Sequence, residues 1–133
     1  MNSQTPPTRH HFATLLVDDS ALIRKRVRHL LQEDARVMQV IEADCAVDGW
    51  LLFKFANPDV VVLDLHLPDF SGLELLRRIR EHAPSCLLVV LSNCREPEVQ
   101  AECRRLGANH VLHKSSEFEK LHEILTSRPD RVV

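Results

Sequence analysis

Five short apolar runs punctuate the chain, at residues 14–17, 37–41, 60–63, 87–91 and 109–112. Most are continuous rather than alternating. A strand buried on both faces reads this way, and helices packed on either side of a parallel sheet produce that burial. The intervals carry helical periodicity, clearest at Ile23, Val27, Leu30 and Leu31, spaced i, i+4, i+7 and i+8, with Arg24, Lys25, Arg26 and Arg28 between them. That helix is expected to bury one stripe and solvate the other. On the second helix the same reasoning takes Val47, Trp50 and Leu51 as the core stripe, which leaves Leu52 and Phe53 either as an apolar contact patch or as the mark of a more deeply buried helix.

Helix starts carry their own signals. Ser71-Gly-Leu-Glu74 and Ser116-Glu-Phe-Glu119 both match the S-x-x-E capping box, in which side chains satisfy orphan amide donors. Pro97 suits the first turn of a further helix. Phe118, Leu121 and Leu125 form an apolar seam on the last helix. Strand and helix alternate five times, so the economical α/β architecture is a (βα)5 open parallel sheet. The folded unit is expected to run over residues 13–126, between an arm at 1–12 and a short tail at 127–133.

Composition narrows the classes of function. A chain of 133 residues has room for one domain. Lys+Arg 17 against Asp+Glu 19 leaves a net charge of −2, with 44% hydrophobic residues, which disfavours a charge-driven nucleic-acid binder. No apolar run approaches the roughly 18 residues of a membrane span, and residues 1–11 lack a signal-peptide core. The expectation is a soluble cytoplasmic protein without a membrane or nucleic-acid partner. Cys45, Cys86, Cys94 and Cys103 form no C-x-x-C pair, so reduced thiols are expected. The histidines, His10, His11, His82, His110, His113 and His122 among them, lack paired ligand spacing and read as surface residues, not a zinc site.

In open parallel sheets, ligands bind beyond the carboxyl ends of the strands. There the first strand ends in Asp18-Asp19, the third in Asp64 and the fourth in Ser92, and Lys114 follows the fifth. Carboxylates gathered on one rim repel by about 4 kcal/mol per pair at 4 Å and an effective dielectric near 20. Such a cluster must bind protons, a divalent cation, or both. All-oxygen ligation favours Mg2+, held by one or two carboxylates with water and phosphate. Phosphoryl chemistry is the natural use of such a site.

These residues resemble the receiver domains of two-component response regulators. The match includes Asp18-Asp19, the segment Asp64-Leu-His-Leu-Pro68-Asp-Phe-Ser-Gly72, Ser92, Leu106-Gly107-Ala108 and Lys114. The resemblance implies a flavodoxin-like three-layer sandwich with strand order 2-1-3-4-5. It implies Asp64 as the acceptor of a phosphoryl group from a sensor histidine kinase or phosphotransfer protein, with a downstream protein as target. By the same resemblance, Mg2+ (or Mn2+) would be held directly by Asp19 and Asp64, mostly through water by Asp18, and by the backbone carbonyl of His66. Lys114 would supply a point charge and Ser92 a hydroxyl donor. His66 and Cys94 would flank the phosphoryl group and tune its lifetime. The Arg24–Arg28 face would be where the kinase docks, unless it is simply solvated.

Two departures stand out. The family commonly has a cis proline after the lysine, but Ser115 follows Lys114; a non-proline cis bond would cost roughly 2.5–4 kcal/mol, so a trans bond and an altered loop are expected. Val111 stands where many receivers carry an aromatic switch residue, which implies signalling by loop or helix displacement. The reading adopted is a stand-alone phosphoacceptor, not a turnover enzyme. The alternatives are a phosphorylation-independent interaction module and an aspartyl-phosphate phosphatase. His66 sits where the phosphatase would need its general-acid aspartate.

Overall fold

The computed structural model describes residues 12–117 and 119–126. Strands and helices alternate as β1 (Phe12–Val17), α1 (Ala21–Leu31), β2 (Val37–Ala43), α2 (Ala46–Ala56), β3 (Val60–Asp64), α3 (Gly72–His82), β4 (Leu87–Ser92), α4 (Pro97–Arg105), β5 (His110–His113) and α5 (Lys120–Thr126). The strands form one parallel sheet in the order β2-β1-β3-β4-β5. This is the parallel (βα)5 sheet that the apolar runs predict, in the flavodoxin-like strand order that the resemblance implies. β1 takes in Phe12, two residues before the apolar run and one before the expected start of the folded unit. The expected arm and tail, with His10 and His11, otherwise lie outside the described residues.

The continuous apolar runs have the burial they predict. Every residue of β3 is buried, because two separate cores press on the sheet. On one face Leu15, Val17, Val61, Leu63 and Val90 meet Phe53 of α2, Leu75, Leu76 and Ile79 of α3, and Cys103 of α4. On the other, Leu16, Val62, Val89 and Leu91 meet Val27 and Leu31 of α1 and Leu121 and Leu125 of α5. Successive strand residues point to opposite faces, so a strand between two helical layers must be apolar at every position.

Three local expectations need correction. On α2 the core stripe is Ala46, Gly49 and Phe53, while Val47 and Leu51 are exposed. This helix is apolar nearly all round, so periodicity leaves its phase open, and the close fit of small residues sets it. A Cβ on Gly49 would stand 3.0 Å from both methyls of Val17. At Ser71 only half the capping box forms. Its hydroxyl accepts from Leu73 N at 3.1 Å, but Glu74 turns to Arg77 and Arg78, which offer charged donors. Ser116 does not stand at the start of α5, which begins at Lys120, and its hydroxyl meets the His113 ring. Phe118 of the predicted seam lies outside the described residues; Leu121 and Leu125 are buried as expected. Pro97 does open α4.

Candidate functional site

Strand register assembles the site. Val17 of β1 is paired with Leu63 of β3, so the residues that follow, Asp18 and Asp64, emerge side by side. Asp64 is in turn level with Leu91, and Ser92 is level with His113, which places Ser92 and Lys114 on the same rim. Parallel strands all end at the same edge, so residues 18, 64, 92 and 114 meet despite their separation in sequence.

One oxygen from each of Asp18, Asp19 and Asp64 lies within 4.8 Å of the others. The Lys114 ammonium stands 2.9 Å from Asp18 Oδ2 and 3.0 Å from Asp64 Oδ2. Asp18 and Asp64 are buried, whereas Asp19 faces solvent. Backbone donors orient the buried pair, with Ser20 N on Asp18 Oδ1 at 2.8 Å and His66 N on Asp64 Oδ1 at 3.1 Å. Burial pushes the Asp64 carboxyl above its ordinary value, and the Asp18 charge adds to this against the pull of His66 N–H and Lys114. Burial also disfavours the Lys114 ammonium, but its two carboxylate partners more than offset that and hold it above its ordinary value.

Ser92 is buried, and its hydroxyl accepts from Cys94 N at 3.0 Å, which leaves its own proton available to a ligand. His66 lies in the loop after β3 with an exposed side chain and forms a bridge to Ser71. That loop returns so tightly that a Cβ on Gly72 would lie 2.4 Å from the Asp64 carbonyl oxygen. Only glycine lets α3 start this close beneath the acidic residue.

The donor set suits a hard divalent cation. It is all oxygen, and its four formal charges, three negative and one positive, leave it net anionic. Asp18 Oδ2 is buried and has no aligned hydrogen bond, only the ion pair to Lys114. A cation shared with Asp19 and Asp64 would satisfy that oxygen.

Several residues around the site carry no signal in sequence periodicity. Arg24 donates to the Asp18 carbonyl at 2.6 Å and pairs with Glu42 of β2, as does Arg28. Two members of the predicted basic face are therefore committed to the sheet edge, while Lys25 and Arg26 point outward. Asp69 caps α2 through Ala46 N and Val47 N at 2.8 and 2.9 Å, tying the loop after β3 to the neighbouring helix. Val111 is buried in the same core as Val90 and Cys103. No peptide bond among the described residues is cis, so Lys114–Ser115 is trans as expected.

The comparisons with known proteins agree with this geometry. Residues 14–126 match the family model described as the response regulator receiver domain. The nitrate/nitrite response regulator protein NarL of Escherichia coli K12 is 33% identical over 125 residues, covering 94% of this chain and 56% of that protein. The chain spans about half the length of curated relatives such as this one. Among solved structures, the signal receiver domain of the putative response regulator NarL from Mycobacterium tuberculosis matches at a TM-score of 0.77 and 26% identity, over 90% of this chain and 99% of that one. The chemotaxis protein CheY4 of Vibrio cholerae matches at 0.77 and 27%, over 87% and 97%.

Proposed function

Starting from a chain that belongs to the family of response regulator receiver domains, we propose that Asp64 accepts a phosphoryl group from a phosphohistidine on a sensor kinase or phosphotransfer protein. The observation that carries this is the meeting of three carboxylates and one ammonium at the carboxyl edge of the sheet.

An Asp64 oxygen attacks phosphorus as the bond from phosphorus to the donor's imidazole nitrogen breaks, and the imidazole leaves with the electron pair. The product is an aspartyl phosphate. Lys114, already 3.0 Å from Asp64 Oδ2, meets the negative charge that arrives with the phosphoryl oxygens. The Ser92 hydroxyl donates to one of those oxygens. Asp18, Asp19, Asp64 and the His66 carbonyl would hold Mg2+, which supplies further charge neutralisation when bound. The phosphoryl group then stays on the protein as a signal, and the output we assign is contact with a downstream protein made by the receiver itself.

Intact-mass measurement tests the reading. With acetyl phosphate and Mg2+ the chain should gain the mass of one phosphoryl group, labile to alkali, and EDTA should prevent the gain. Asp64→Asn should abolish it. Undiminished labelling of that variant would remove Asp64 as the acceptor, and steady turnover of phosphomonoesters would favour a phosphatase.

A further inference from the structure

The turn that carries Lys114 is closed by an imidazole. Ser115 N, Ser116 N and the Ser116 hydroxyl all approach His113 Nδ1, at 3.2, 3.3 and 3.1 Å. Two of these donors are backbone N–H groups that cannot reverse their role, so Nδ1 must offer its lone pair and the ring proton of the neutral side chain sits on Nε2. The main chain of the same residue closes the turn a second time. His113 N donates to Glu117 Oε1 at 2.9 Å, and Glu117 N donates to the His113 carbonyl at 3.0 Å. Lys114 lies inside this ring of contacts, its own N–H still on the Ser92 carbonyl at 3.0 Å.

From this arrangement we infer that His113 is a positioning residue for the phosphoacceptor site: its Nδ1 gathers the two amides after Lys114 and so aims the ammonium at Asp18 and Asp64. The inference rests on the phosphoacceptor reading above. Its physical basis is independent of that reading. A lysine has four side-chain torsions, and its charge is useful at a defined place only if the backbone that launches it is held. β5 fixes the residue before Lys114 and nothing in the β-ladder fixes the residue after it. With Ser115 where the family commonly has proline, a hydrogen-bond acceptor takes over the restraint.

Connectivity supplies the test. Asparagine places Oδ1 the same number of bonds from Cα as histidine Nδ1, whereas glutamine places its oxygen one bond farther out. In His113→Leu, phosphorylation by acetyl phosphate at saturating Mg2+ should slow on the order of 10-fold, since small misplacements of a catalytic group cost about that much or more. His113→Asn should restore most of the rate and His113→Gln should not. The Mg2+-induced rise in melting temperature should persist in all three, which separates a displaced lysine from a lost fold. Hydrogen exchange of the Ser115 and Ser116 amides should quicken in the leucine and glutamine variants and recover with asparagine. Equal rates in wild type and His113→Leu, or equal slowing in the asparagine and leucine variants, overturns the inference while the phosphoacceptor reading stands. If the wild type takes no phosphate, that reading falls, and unchanged amide exchange in His113→Leu overturns the clamp as well.

Discussion

Replacing Asp64 by asparagine should make the metal-free protein more stable. The charge on Asp64 has opposing neighbours. Lys114 at 3.0 Å attracts it by about 5.5 kcal/mol at an effective dielectric near 20, and Asp18, within 4.8 Å, repels it by about 3.5 kcal/mol or more. Asp19 adds a repulsion that solvent screens. These terms cancel to within about 2 kcal/mol, so the burial of a carboxylate that is 3% exposed decides the sign. The raised proton affinity of Asp64 has the same first cause. Removing the charge while keeping the shape should therefore stabilise the fold by about 1–3 kcal/mol, which raises the melting temperature by roughly 3–10 °C. Because the folded-state proton affinity lies above the ordinary value of 3.8, the penalty is absent below that pH. It develops as pH rises through the folded value, so the variant's advantage should exist at neutral pH and vanish in acid. Saturating Mg2+ should reverse the ranking, since a ligand at 100 times its dissociation constant adds about 2.7 kcal/mol to the form that binds it. Thermal unfolding followed by circular dichroism, in EDTA and in MgCl2, measures all of this. A variant no more stable than wild type in EDTA at neutral pH would refute the reasoning.

Arg80 ties the end of α3 to the starts of β4 and β5 by donating to the carbonyls of Ala83, Pro84, Cys86 and Gly107 and to Asn109 Oδ1; Arg80→Met should cost about 2–4 kcal/mol in urea unfolding, and a loss below 1 kcal/mol would count against that role. Exchanging the faces of α2 checks its phase: Leu51→Ser should change stability by about 0.5 kcal/mol or less, while Phe53→Ala should cost about 3–5 kcal/mol. The hydrogen-bonded Arg36 guanidinium beside Asp34 holds its carboxyl below its ordinary value of 3.8. Its stabilisation is complete above that pH and is lost as pH falls through the lower, folded value, so the stability difference between wild type and Asp34→Asn should shrink in acid titrations and persist at pH 7.

The strands and the rim were legible for a common reason. A parallel strand between two helical layers is apolar at every position, and its polar terminus marks where the sheet ends, so residues 60–63 followed by Asp64, or 14–17 followed by Asp18-Asp19, carry both messages at once. α2 was not legible in the same way. Where apolar residues surround a helix, side-chain period loses its contrast, and Gly49 against Val17 selects the buried face. Ser71 and Pro97 do open their helices, but Glu74 did not close its capping box and Ser116 did not start α5 for a related reason, since Glu74 had Arg77 and Arg78 within reach and Ser116 had the His113 ring.

The order of apolar and polar residues thus determined by itself the alternation of strand and helix, the parallel sheet and the identity of the acidic and basic groups at its edge, because each follows from local period and chain reversal. Only tertiary structure decided that Lys114 would lie almost equally near Asp18 and Asp64, that Asp64 would be buried and Asp19 exposed, and that His113 would close the turn that carries Lys114. Those outcomes depend on strand register and on ångström-scale competition among donors and acceptors from distant parts of the chain, and no local pattern encodes which partner arrives first.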